Sequence, residues 1–273
     1  MTVHLYPAEP TLSIAVTCDP ADDTVLQGKA QSLAQTLRIK LTDRINATHP
    51  FLLVYTTKGL ELQTINPETK RHAATLSTDF LHGDTGYRRQ HGGGIHQPLA
   101  RAVGIKPNYR PTIVDATAGL GIDGFILAGL GCKVTLIERS PVIWALLADG
   151  LERAADHPTV KEITNRIQLF LGNAREIITT LSEQPATIYL DPMYPHRPGS
   201  ALNKQAMRII RDLVGDDQDA AALLETALDI AVNRVVVKRP KGAPELNSRR
   251  PSHTITMKNS RFDVYLTHNK AEG

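Results

Sequence analysis

Apolar and polar positions divide this chain into a short mixed region and a long regular one. From Asp23 to Arg38, Leu26, Ala30, Leu33, Ala34 and Leu37 recur at helical spacing, which predicts a helix with one buried face. Runs at Leu12 to Thr17, Phe51 to Thr56 and Leu60 to Ile65 are short and rich in apolar residues, as strands are. Thr57-Lys58-Gly59 joins the last two as a hairpin turn. Residues 1–80 therefore read as a small α+β domain. His82 to Gly94 carries glycine, arginine and histidine without apolar periodicity, so residues 81–110 read as a linker. Gly92-Gly93-Gly94 leads it into a short helix near Ile95 to Val103, which Gly104 and Pro107 end.

From Pro111 strands and helices alternate. Strands are expected at Thr112–Asp115, Lys133–Glu138, Ile167–Leu171, Thr187–Asp191 and Arg234–Lys238. Helices are expected near Gly121–Leu130, Pro141–Ala155, Ala174–Leu181, Lys204–Leu213 and Asp219–Ala231. Alternation of this kind gives right-handed crossovers and a parallel sheet covered on both faces. Thr254–Met257 and Phe262–Thr267, around a Lys258–Arg261 turn, add a terminal antiparallel hairpin. The expected fold is α/β, with a Rossmann-like sheet over residues 111–273.

Composition narrows the class without naming a function. With 41% hydrophobic and 22% charged residues, the chain can bury a sizeable core. Met1 to Pro7 lacks the pattern of a secretory signal, and Phe125 to Leu130 is far too short to span a bilayer, so a cytoplasmic protein is expected. Cys18 and Cys132 have no metal-ligand spacing; they read as buried thiols, and no metal site is expected. A net charge of +3 permits nucleic-acid binding without requiring it. Basic residues cluster at Arg88-Arg89, Lys238-Arg239-Pro240-Lys241 and Arg249-Arg250. Such runs are commonly solvated faces. The first two lie beside the chemistry-bearing segments, where Arg88, Arg89, Lys238, Arg239 and Lys241 are expected to meet phosphate.

Ligands of open α/β sheets bind beyond the carboxyl ends of the strands. Asp115, Glu138, Asn173 and Asp191 all fall at such ends. Gly119-Leu120-Gly121-Ile122-Asp123-Gly124 fits a glycine-rich nucleotide turn, a weak signal when alone. Asp123 within the turn would repel a pyrophosphate, whereas an amino or sulfonium group would welcome both Asp115 and Asp123. A tight strand-to-helix turn with a capping aspartate explains the same residues without a ligand. Glu138 can accept both hydroxyls of a ribose, or stand as a helix N-terminal acid before Ser140-Pro141. Asn173 can meet an adenine edge with Ala174 leaving room for the ring, or it can cap a helix.

Ile188-Tyr189-Leu190-Asp191-Pro192-Met193-Tyr194-Pro195 ends a buried strand in a carboxylate, a proline-bracketed turn and an aromatic ring. An exocyclic amine is a poor nucleophile because its lone pair is delocalised into the base. Asp191 and the Pro192 carbonyl can accept its two hydrogens and turn the lone pair outward, while Tyr194 stacks on the base. A rigid turn ending a strand is the plainer reading.

These segments resemble one family. Asp115 to Gly121, Leu136-Ile137-Glu138-Arg139, Tyr189 to His196 and Val235 to Pro240 are similar to the RsmJ (YhiQ-type) family, with Gly92-Gly93-Gly94 and Arg261-Phe262-Asp263 in agreement. The resemblance covers roughly residues 80 to 267. It implies a class I methyltransferase that uses S-adenosylmethionine to methylate the N2 amine of a guanosine in 16S rRNA, with free rRNA or the small ribosomal subunit as partner. It implies cofactor contacts at Ile122, Asp123, Glu138, Arg139, Asn173, Ala174 and Asp191, joining Asp115, Gly119 and Gly121 of the turn. Two positions depart from common patterns: Met193 stands where many amino-methyltransferases carry a second proline, and Asn173-Ala174 where the family often has two small hydroxyl residues. A nicotinamide-dependent oxidoreductase shares the sheet and Glu138 but has no need of Asp-Pro-Met-Tyr-Pro. A DNA adenine methyltransferase would call for a larger recognition region than residues 1–80, and a non-catalytic RNA-binding module would not depend on Asp191.

Overall fold

The computed structural model describes residues 13–43, 49–65, 72–82, 93–193 and 219–267. Arg88, Arg89, Tyr194 and the helix expected at Lys204–Leu213 lie outside the described residues.

The first region forms a five-stranded sheet, ordered β2-β1-β3-β4-β5, from β1 (Ile14–Asp19), β2 (Lys40–Leu41), β3 (Phe51–Thr56), β4 (Gly59–Ile65) and β5 (His72–Leu76). Helix α1 (Thr24–Leu37) covers it. Its limits follow from side-chain and backbone chemistry. Asp23 Oδ1 accepts the amides of Val25 and Leu26 at 2.9 and 3.0 Å, and Arg38 ends the helix in a left-handed conformation. The expected stripe of Leu26, Ala30, Leu33, Ala34 and Leu37 is buried throughout. The expected hairpin is present, with Thr56 opposite Gly59.

Helix α2 (Pro98–Val103) follows a single 3-10 turn at Gly94–His96 and stops at Gly104, whose φ is 88°. The second sheet contains β6 (Ile113–Asp115), β7 (Val134–Glu138), β8 (Ile167–Leu171), β9 (Thr187–Leu190), β10 (Arg234–Pro240), β11 (His253–Thr256) and β12 (Ser260–Leu266). Its order is β11-β12-β10-β9-β6-β7-β8. Strands β8, β7, β6, β9 and β10 run parallel, and β12 is antiparallel to both β10 and β11, as the expected terminal hairpin requires. The connections contain α3 (Ile122–Gly129), α4 (Pro141–Ala155), α5 (Lys161–Thr164), α6 (Ala174–Ile177) and α7 (Ala220–Ile230).

Period-two alternation sends neighbouring strand residues into different cores. Ile113, Leu136, Tyr189 and Val236 pack with α2 and α3 on one face. Val114, Ile137, Ile188, Leu190, Val235 and Val237 pack with α6 and α7 on the other. Helix α4 serves both regions. Leu147 and Ala154 join the first of these cores, whereas Ile143, Trp144, Ala145 and Leu146 join the core of the small sheet and α1. Phe80 is buried in the larger region's core, stacked on Phe125 with centroids 4.2 Å apart.

Candidate active site

Three strands deliver acids to one end of the larger sheet. Asp115 closes β6, Glu138 closes β7, and Asp191 follows β9 directly. Because β6 lies between β7 and β9, its loop is flanked by the other two acids.

The β6 loop is a turn braced by its neighbours. The Ala118 amide donates to the Ile137 carbonyl at 3.0 Å, and the Gly119 amide donates to Glu138 Oε2 at 2.8 Å. Glu138 Oε1 accepts the Ser140 amide at 2.7 Å, just before α4. Gly119 has a φ of 54° and nothing within 4 Å of where a Cβ would project, so bare backbone faces open space there. Gly121 begins α3 in a left-handed conformation, and a Cβ on it would stand 2.5 Å from Leu147 Cδ1. At Gly124 a Cβ would stand 2.3 Å from Leu136 Cδ2, so this glycine permits the helix to approach β7. Ile122, at the head of α3, is exposed.

On the β9 side the Asp191 amide donates to Thr117 Oγ1 at 2.6 Å, tying the Asp-Pro turn to the glycine turn. Thr117 in turn donates its amide to Asp115 Oδ1 at 3.2 Å. Lys238 Nζ donates to Asp191 Oδ2 at 2.7 Å and to Asp123 Oδ2 at 3.0 Å. Asp123 Oδ2 also accepts the Tyr189 hydroxyl at 2.8 Å. Burial would lower the Lys238 pKa, but the charges of Asp191 and Asp123 and their hydrogen bonds raise it above the ordinary value. Burial is the largest cause raising the Asp115 pKa well above the carboxylate range, followed by the charge of Asp123. Tyr189 is raised for the same reasons, desolvation first.

Asp115, Gly119, Gly121, Ile122, Asp123, Glu138, Asp191 and Pro192 are thus placed on the turns at one end of the sheet. Asp123 differs from the sequence expectation in one respect: Lys238 and Tyr189 already answer its carboxylate from within the protein. Asn173 follows β8, where its Oδ1 accepts the Arg175 amide at 3.0 Å and caps α6; Ala174 is buried beside it. Arg139 turns toward α7, pairing with Asp219 at 3.0 Å.

The phosphate expectation changes for two residues. Lys238 is held by two carboxylates, and Arg239 is 3% exposed, so neither stands on a solvated basic face. Strand geometry explains it, since successive β10 side chains point to opposite faces of a covered sheet. Sequence reasoning missed Thr117, Tyr189 and the pairing of Lys238. The available signal for Lys238 was a cation at the end of a strand otherwise apolar from Val235 to Val237.

The open backbone at Gly119, with Glu138 and Asp191 on adjoining strand ends, fits an adenosine-bearing cofactor that carries a positive charge.

Comparison with known proteins agrees. Residues 33–267 match the family model described as "Putative SAM-dependent methyltransferase". A ribosomal RNA small subunit methyltransferase J of Desulfotalea psychrophila is 53% identical over 239 residues, 88% of this chain and 91% of that protein. Its namesake from Thioalkalivibrio sulfidiphilus is 52% identical over 244 residues, 89% of this chain and 94% of that one. The crystal structure of a SAM-dependent methyltransferase from Neisseria gonorrhoeae superposes with a TM-score of 0.71 at 33% identity, covering 94% of this chain and 97% of that chain. A sheet of this order, a glycine turn flanked by strand-end acids and likeness over nearly the whole length have one reading: the chain belongs to the SAM-dependent methyltransferase family that includes the ribosomal RNA small subunit methyltransferases J.

Proposed function

We propose that this protein methylates the exocyclic N2 amine of a guanosine in 16S rRNA, acting in the cytoplasm on free rRNA or on the small ribosomal subunit. The observation that carries the reading is the Asp191-Pro192 turn, seated by Thr117 against the glycine turn in a chain of this family. S-adenosylmethionine, when bound, supplies an activated methyl group on a sulfonium. Gly119 and Gly121 offer the backbone turn, and Ile122 an apolar edge. Each Glu138 oxygen braces an amide, which fixes the carboxylate at the end of β7 where a ribose would be held. Asp123 supplies negative potential, the buried Asp115 holds the turn through the Thr117 amide, and Asn173, Ala174 and Arg139 complete the proposed cofactor side.

On the base side, Asp191 and the Pro192 carbonyl accept the two amine hydrogens. That rotates the nitrogen lone pair out of conjugation and toward the methyl donor, so placement supplies most of the catalysis. The amine sheds one proton on being methylated, and Asp191 is placed to receive it. Tyr194 is assigned by sequence to stack on the base.

The test is transfer of labelled methyl from S-adenosylmethionine to protein-free 16S rRNA and to small subunits, followed by nucleoside analysis. N2-methylguanosine is expected, with a much lower turnover number in Asp191→Asn. Label in adenosine, or in duplex DNA instead of rRNA, would overturn the reading.

A further inference from the structure

Lys238 lies near the end of β10, next to β9, and its ammonium joins carboxylates from two separate turns. One is Asp191, from the Asp-Pro turn at 2.7 Å; the other is Asp123, from the first turn of α3 at 3.0 Å. Its side chain is 30% exposed and that of Asp123 12%, so water screens this group only partly. Tyr189, buried at the centre of β9, holds the same Asp123 oxygen through its hydroxyl. Asp115, also buried, lies on this side of the site, and burial together with the charge of Asp123 pushes its pKa up, so it favours the neutral carboxyl. Without the ammonium, Asp123 and Asp191 would repel one another across the gap it now fills.

A phosphate approaching Lys238 would meet these two carboxylates first. The cation is therefore poorly placed to bind an RNA backbone and well placed to orient a side chain. An ammonium has three donors and no acceptor, and two of the three are directed at fixed oxygens on separate elements.

We propose that Lys238 is a positioning residue for methyl transfer: by clamping Oδ2 of Asp191 against Oδ2 of Asp123, it sets the orientation in which the Asp191 carboxylate faces the base amine. The inference rests on reading Asp191 as the acceptor of the amine hydrogens. It adds that the orientation of Asp191 is imposed from β10 and from the cofactor turn, so the two halves of the site are built around one charge.

The test uses the full chain with Lys238→Met, Lys238→Arg, Asp191→Asn and the Lys238→Met/Asp191→Asn double variant. Steady-state methyl transfer to rRNA gives kcat and KM, filter binding over a salt series gives RNA affinity, and calorimetry gives S-adenosylmethionine affinity. Lys238→Met should lower kcat about a hundredfold, the scale of removing one preorganised electrostatic contact. RNA affinity and its salt slope should stay at wild-type values, because no phosphate contact is lost. Lys238→Arg should recover about tenfold of the loss, since it restores the cation with altered geometry. The double variant should be no slower than Asp191→Asn alone, the non-additivity expected of residues acting as one unit.

Weaker RNA binding with a flatter salt slope in Lys238→Met would overturn the proposal in favour of a phosphate contact. Multiplying losses in the double variant would overturn it by showing that Lys238 acts independently of Asp191. An active wild type with a fully active Asp191→Asn would sink the inference and the role of Asp191 together. A wild type that transfers no methyl to rRNA would instead refute the functional reading itself. Thermal melts accompany each variant, and if Lys238→Met does not fold, the same cycle is run with Lys238→Arg.

Discussion

Glu138 is expected to have two separable duties. The residue is 7% exposed, and its carboxylate accepts two backbone amides, Gly119 at 2.8 Å and Ser140 at 2.7 Å. Hydrogen bonds to a charged group are worth about 1.5–3 kcal/mol each. Glu138→Ala removes both, but water can reach amides at the rim of the turn, so a cost near the lower sum, about 3 kcal/mol, is expected. In a chain of this size that lowers Tm by about 6–12 °C without any cofactor. Glu138→Gln keeps one acceptor and turns an NH2 toward an amide donor, so it should lose about 2 kcal/mol. If Glu138 also holds the ribose, calorimetry should show cofactor affinity falling about 10- to 100-fold in Glu138→Ala. A loosened turn alone could weaken binding too, and a 2′-deoxy analogue of S-adenosylhomocysteine separates the causes. It should bind the wild type more weakly than its parent and bind Glu138→Ala equally well. An unchanged Tm in the cofactor-free variant would refute the bracing, and an equal analogue penalty in both proteins would remove Glu138 from the ribose.

Two further outcomes follow from the same corner of the sheet. Burial raises the Asp115 pKa in the folded state, so its contribution to stability is fully present below the unfolded value near 3.8 and is lost as pH rises through the folded value. Asp115→Asn should therefore match the wild type in acid and gain stability over it as pH increases; a pH-independent difference in urea midpoints would contradict this. Thr117→Val should strand the Asp191 amide now bonded to Thr117 Oγ1 at 2.6 Å, costing about 1–3 kcal/mol and lowering kcat for rRNA methylation. A variant as stable and active as the wild type would show that the turn does not depend on this bond.

The parts legible in the sequence are those where one periodic signal coincides with one physical need. Helix α1 combined an Asp23 cap with an apolar stripe, and the core strands announced themselves as short apolar runs between helices. Strands β2 and β5 were not read: β2 has only Lys40 and Leu41, both exposed, and β5, His72 to Leu76, has Leu76 as its single large apolar residue. At the site, the strand-end acids could be read from position alone. What each acid bonds to could not, because Lys238, Asp123 and Asp191 are distant in sequence and meet only through the β9–β10 pairing and the placement of α3. Arg239 misled for a similar reason: beside Lys238 and Lys241 it resembles a solvated run, yet the sheet buries it. Tyr189 reads as an ordinary core aromatic, and nothing local reveals where its hydroxyl ends.

Helix α4 gives side chains to the cores of both sheets, and this bears on how the chain is made. The ribosome releases β1 to β5 first, but the small sheet's core is incomplete without Ile143, Trp144, Ala145 and Leu146. Until those residues emerge, α1 covers the nascent sheet over β1 and β3 while β4 still waits for its packing partner. When α4 arrives it completes that face over β4 with these residues while Leu147 and Ala154 enter the other core. Maturation of the first region is thereby timed to synthesis of the second, and a chain cut near residue 80 would lack the part of its core that α4 and Leu171 supply.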